Sequence, residues 1–229
     1  MNWEVIIKWL PRLAQGATLT LELVAIAVIA GLILAIPMGI ARASRHWPVR
    51  ALPYAYIFFF RGTPLLVQLF LVYYGLAQFE SVRQSALWPY LRDPFWCAVV
   101  TMTLHTAAYI AEILRGAIQA VPVGEVEAAR ALGMSKWKAL FYIVLPRAAR
   151  IGLPAYSNEV ILMLKASALA STVTLLELTG MARTIIARTN LPVEIFFAAG
   201  MFYLVMTFVL VQGFRLLEKL LRVDASQGR

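Results

Sequence analysis

The chain has 229 residues, of which 61% are hydrophobic and only 14% charged, whereas a water-soluble domain carries about 25% charge. Together with a mean hydropathy of +0.75, this places the chain in lipid and excludes an ordinary soluble globular domain. The formal net charge of +9 fits loops biased by the positive-inside rule and gives no basis for a nucleic-acid partner.

Residues 1–15 mix Trp3, Ile6, Ile7, Trp9 and Leu10 with Glu4, Lys8 and Arg12. That pattern predicts an amphipathic segment at the membrane interface, since the basic end and the apolar run are in the wrong order for a cleavable signal peptide. Five apolar stretches follow, at about 17–41, 54–79, 95–119, 151–176 and 195–214. Each is long enough for the ~20 residues of helix that cross about 30 Å of hydrocarbon. Cys97, the single cysteine, sits at the start of the third stretch and reads as a buried apolar residue.

Orientation follows from the basic residues. The segment 42–50, the loop after the third span and the C-terminal tail together hold twelve Lys and Arg, among them Arg42, Arg45, Arg50, Lys136, Lys138 and Arg147. The opposite side holds six: Lys8, Arg12, Arg83, Arg92, Arg183 and Arg188. The richer side is cytoplasmic, so the expectation is an all-α integral membrane protein with five transmembrane helices, an outward N-terminus and a cytoplasmic C-terminus. Residues 1–15 form the interfacial segment, 16–215 the membrane domain with a cytoplasmic loop at 122–150, and 216–229 the cytoplasmic tail.

That loop carries EAARALGMSKWKALFYIVLP, from Glu127 to Pro146. Helix formers run from Glu127 to Leu132, Gly133 suits a helix stop, and Ser135 suits the cap of a second helix ending near Pro146. In that second helix Trp137, Leu140, Phe141 and Val144 recur at three- and four-residue spacing. Two surfaces fit such a stripe equally, a groove on a cytoplasmic partner and the lipid headgroups.

The spacing Glu127-Ala128-Ala129, three residues, Gly133, nine residues, Ile143, one residue, Leu145-Pro146 resembles the EAA motif of the membrane subunits of bacterial ATP-binding-cassette importers. Arg61-Gly62-Thr63-Pro64, the lead-in Glu125-Val126 and the run Leu153 to Glu159 are similar to the polar amino acid uptake branch. Within it, Tyr156 to Leu164 is similar to M-type permeases of histidine, lysine, arginine and ornithine systems and of opine systems. The resemblance covers about residues 16–221. It implies a type I importer (MetI-like) fold in the bacterial inner membrane, with the periplasm outside, and a coupling loop whose Glu127, Ala128, Ala129, Gly133, Ile143, Leu145 and Pro146 dock on an ATPase. It also implies two ATPase subunits, a second and related permease subunit, and a periplasmic solute-binding protein landing on the outward loops 80–94 and 177–194. The solute implied is a polar, basic amino acid, with an opine or a neutral or acidic amino acid as the alternative.

No GxxxxGK[ST] loop occurs, so ATP and Mg belong to the partner ATPase and this chain is a transporter subunit rather than an enzyme, with no cofactor of its own. Neither HExxH nor GxSxG is present, which removes the common motifs of a membrane-embedded hydrolase. An ATPase-independent carrier built on inverted repeats fits poorly, because five spans do not divide into equal halves.

Six ionisable residues fall inside the apolar stretches: Glu22, Arg61, Glu112, Arg115, Glu159 and Lys165. Each costs about 2.5–3.5 kcal/mol at a span centre on insertion scales and needs a cavity or a partner. Glu112 and Arg115, three apart, can neutralise each other. A cationic solute needs a carboxylate, which makes Glu159 with Asn158 the first candidate contact and Glu112 the second. Gly62 and Pro64 are expected to break the second span, with Arg61 serving the freed carbonyls. Glu22 is expected to snorkel. His105 lacks Cys, Asp or a second His at ligand spacing, so no metal site is expected.

Overall fold

The computed structural model describes residues 2–221, which fold into helices α1 to α11 with no cis peptide bond among them. In chain order these are α1 (Trp3–Arg42), α2 (Trp47–Gly62), α3 (Leu65–Phe70), the short α4 (Glu80–Arg83) and α5 (Trp88–Leu91), and α6 (Pro94–Gln119). Then come α7 (Val123–Ala131), α8 (Lys136–Ala139), α9 (Leu145–Ala166), α10 (Leu178–Thr189) and α11 (Pro192–Leu221). Among the described residues α1, α6 and α11 are long and apolar enough to cross a membrane singly, and two bent pairs bring the number to five if each pair is one span.

Helix α1 runs without interruption through the boundary expected between an interfacial segment 1–15 and the first span. Leu13 and Gly16 are buried in its packing, so apolar contact holds the helix together where composition suggested a change of element. At 40 residues it is about 60 Å long, twice the hydrocarbon thickness. The expected tail 216–229 also begins inside a helix, since Leu216–Leu221 belong to α11; residues 222–229 lie outside the described residues.

Small residues let α1 and α6 approach closely. A Cβ on Gly31 would stand 2.5 Å from Thr106 Cγ2 and 3.3 Å from the Thr103 carbonyl, and Ala27 and Ala35, one turn to either side, are wholly buried. In lipid, close backbone approach replaces the hydrophobic drive that water would supply.

The segment 177–194, expected as an outward loop, is mostly helix α10, and its anchor is Glu177. This fully buried carboxylate accepts bonds from the N–H of Thr179 at 3.0 Å and Gly180 at 2.8 Å, capping α10. It also accepts from the Tyr203 hydroxyl of α11 at 2.9 Å and faces Thr20 of α1 at 3.4 Å. Thr20 Oγ1 accepts the N–H of Leu178 at 3.1 Å. One carboxylate thus ties three helices, and its N–H and O–H donors offset its desolvation.

Removing it leaves those donors buried and unpaired. Glu177→Ala is expected to destabilise the protein by about 3 kcal/mol and Tyr203→Phe by about 1 kcal/mol. Thermal unfolding in detergent checks the order, and a wild-type midpoint for Glu177→Ala would contradict it.

Candidate functional site

Three groups of side chains combine charge or exposed apolar surface with a defined scaffold. The first is the loop 122–150, expected on the cytoplasmic side. Helix α7 ends in a Schellman turn: Met134 N–H donates to the Ala129 carbonyl at 3.1 Å and Gly133 N–H to that of Arg130 at 3.0 Å, with Gly133 at φ +83°. That left-handed geometry favours glycine. Ser135 Oγ then accepts the Lys138 N–H at 3.3 Å and starts α8.

Helix α8 does not stop at Pro146. It widens into a π turn at Leu140–Val144 and continues as α9 to Ala166. Proline lacks an N–H and its ring collides with the carbonyl four residues earlier in a regular helix; the wider π turn accommodates both at the start of α9. The expected stripe is also split into two faces. Leu140 and Val144 pack inward with Ala117, Val121 and Ala148, while Trp137 and Phe141 stack on each other outside at 6.3 Å. Leu132, 86% exposed, and Tyr142, 71% exposed, join them. Of the motif residues Ala129 is buried, Ile143 and Leu145 are half-buried, and Glu127, Ala128, Gly133 and Pro146 are exposed. Glu125 and Arg147, 3.4 Å apart, clamp α7 to α9.

The second group is the break in the second span. Helices α2 and α3 meet at 102° across Thr63–Pro64. The freed carbonyls are taken by Gln68, not by Arg61 as expected: the two N–H groups of Gln68 Nε2 are shared among the Phe60 carbonyl at 2.9 Å, the Thr63 carbonyl at 3.0 Å and Thr63 Oγ1 at 2.7 Å. Its Oε1 meets His105 Nδ1 of α6 at 3.0 Å. His105 is half-buried in α6 and packs its ring on Tyr109 at 4.9 Å. Sequence reasoning missed Gln68; a glutamine four residues after a Gly-Thr-Pro break in an apolar run was the available signal.

Arg61, released from that task, lies over the Tyr109 ring at 5.1 Å. It borders the third group, a cavity of about 270 Å³ lined by Arg42, Tyr54, Ile57, Phe58, Arg61, Gly62 and Glu112. Glu112 and Arg115 do pair, with Oε1 accepting from Nη2 at 2.6 Å and Nε at 2.7 Å. Arg42 adds a contact at 3.9 Å to the other oxygen.

The two residues expected to act together, Asn158 and Glu159, point apart because neighbours on a helix are about 100° apart. Glu159 is buried and accepts from Thr106 Oγ1 at 3.0 Å, whereas Asn158 is exposed on the same face as Lys165. Glu22 is exposed. No cluster of metal-ligating side chains occurs among the described residues.

A family model described as "binding-protein-dependent transport system inner membrane component" matches residues 18–223. The chain is 47% identical over 216 residues to an octopine transport system permease protein of Rhizobium meliloti, covering 94% of this chain and 86% of that one. It is 44% identical over 205 residues to the histidine/lysine/arginine/ornithine transport system permease protein of Escherichia coli K12, covering 89% and 86%. Among solved structures, a chain of an amino acid ABC transporter crystallised with histidines superposes with a TM-score of 0.85 at 34% identity, over 96% of this chain and 98% of that one.

Gln68→Leu leaves the Phe60 and Thr63 carbonyls without a donor and is expected to cost about 2–4 kcal/mol, whereas His105→Phe, which loses one bond, costs about 1 kcal/mol. Denaturant unfolding of the two purified variants checks this, and equal loss would contradict the role given to Gln68.

Proposed function

The chain belongs to the binding-protein-dependent transport system inner membrane components, and within that family we propose that it forms half of the translocation pathway for a basic amino acid. It is a multi-pass inner membrane permease subunit of an ATP-binding-cassette importer for amino acids or opines, with the type I (MetI-like) all-helical fold. Such permeases are not enzymes; separate ATPase subunits hydrolyse ATP, and the importer includes a second permease and a solute-binding protein.

In the proposed assembly two ATPase subunits, holding ATP and Mg, serve this chain and a related second permease. Five crossings with a periplasmic N-terminus and a cytoplasmic C-terminus agree with the basic-residue bias and with counting each bent pair as one span. The loop 122–150 then faces the ATPase. The observation that carries this reading is its two-sidedness: one face is anchored through Ala129, Val144 and the Glu125–Arg147 pair, while Leu132, Trp137, Phe141 and Tyr142 stand in the open. An anchored frame with an apolar outer face fits a protein groove, where apolar anchors dominate affinity. Closure of the ATPases moves the loop, and the two permease cores rock to open the pathway first to one side and then to the other.

The basic solute is supported by Glu159, a buried carboxylate at mid-helix with Thr106 as its single side-chain hydrogen bond among the described residues, and by the relative from Escherichia coli. The second reading is an opine, favoured by the octopine permease relative.

Glu159→Gln removes the charge and keeps the shape. In proteoliposomes of the whole importer, uptake of arginine or lysine is expected to fall about tenfold or more, with a much smaller effect on neutral citrulline. Equal losses would assign Glu159 a structural role.

A further inference from the structure

The cavity between the end of α1, α2 and α6 is lined by two arginines, Arg42 and Arg61, and one carboxylate, Glu112. Glu112, its one lining carboxylate, has Oε1 occupied by Arg115 through two short bonds. Arg42 and Arg61 remain. Arg42 Nε lies 3.9 Å from Glu112 Oε2, too far for a hydrogen bond, and both atoms are buried without a hydrogen-bond partner. Arg61 takes part in no ion pair among the described residues.

Both guanidiniums are held by aromatic faces instead, Arg42 over Tyr54 at 4.9 Å and Arg61 over Tyr109 at 5.1 Å. A ring face stabilises the cation from above and leaves the in-plane N–H fork free, the geometry that receives a carboxylate in two parallel bonds. Arg61 falls inside the second apolar stretch, where a cation marks a ligand path or an unmet partner, and Arg42 stands at the end of α1 beside it. At about 270 Å³ the cavity is large enough for the head of a small organic ion.

We propose that this cavity binds the carboxylate of the transported solute, with Arg61 and Arg42 as its donors. The site is separate from Glu159, so the two ends of the solute are read by different helices: the carboxylate by α1 and α2, a cationic side chain by α9. The inference rests on the reading of the chain as an amino acid or opine permease, not on which of these solutes it carries, because all of them present a carboxylate.

The test measures binding to the whole permease–ATPase complex in nanodiscs, without the solute-binding protein. Arginine is compared with agmatine, which is arginine without its carboxylate, and octopine is compared in parallel with its dimethyl ester. Wild-type complex is expected to prefer the free carboxylate about tenfold or more, and Arg61→Gln to weaken that ligand about tenfold while leaving its carboxylate-free counterpart unchanged. Arg61→Lys, which keeps the charge and loses the fork, falls between them, and Arg42→Gln repeats the test if Arg61→Gln does not assemble. Preference in the octopine pair with no arginine binding keeps the site and overturns the basic amino acid. No carboxylate preference in either wild-type pair overturns the site. So does equal weakening of both members of a pair by Arg61→Gln, and so does loss of the second permease from both glutamine variants, which would give the guanidiniums to an acidic side chain of that subunit.

Discussion

Hydrocarbon offers no hydrogen bonds, so every polar group that enters it must be matched within the protein or face water or a ligand. Two of the three polar groupings in this chain are matched. Gln68, steadied by His105, absorbs the carbonyls freed at the Gly62–Pro64 break, and Glu177 absorbs the amides at the start of α10 together with the Tyr203 hydroxyl. With these in place, a span bent by 102° and another bent by 49° can be part of one fold. In the third grouping Arg42 Nε and Glu112 Oε2 are left without hydrogen-bond partners, a shortage that the proposed carboxylate site would meet.

The same accounting suggests how force would cross the proposed importer. From Lys136 to Ala166 the chain is helical throughout, through the π turn and past Pro146 and Pro154. Trp137 and Glu159 therefore lie on one continuous rod, 22 residues or about 33 Å apart. Displacement of the loop by an ATPase need not pass through a flexible joint to reach the buried carboxylate. The Glu125–Arg147 pair and the small cluster that joins Val126 to Val144 and Ala148 tie α7 to that rod.

Much of this was legible in the residues. The third apolar stretch, 95–119, matches α6 to within a residue, because its ends are marked by Asp93-Pro94 and by a polar loop. Gly133 and Ser135 were legible because turn and cap chemistry is local. What was hidden depended on contacts distant in sequence. Pro146 reads as a terminator until a π turn precedes it; Glu177 reads as a loop charge until Thr20 and Tyr203 reach it. Asn158 and Glu159 are neighbours in sequence, and only the packing of α9 on α6 shows that they face different ways. Gln68 has the role expected of Arg61 for the same reason: either side chain could serve the carbonyls of the break, and the fold brings Gln68 to them.

In the proposed importer the exposed face of loop 122–150 rests on an ATPase and not on lipid. The direct measurement is photo-crosslinking from a probe on Leu132→Cys, in a Cys97→Ser background, within the membrane-embedded importer. An adduct with the ATPase subunit is the predicted result; an adduct with lipid alone, from a complex that retains its ATPase, would contradict the account.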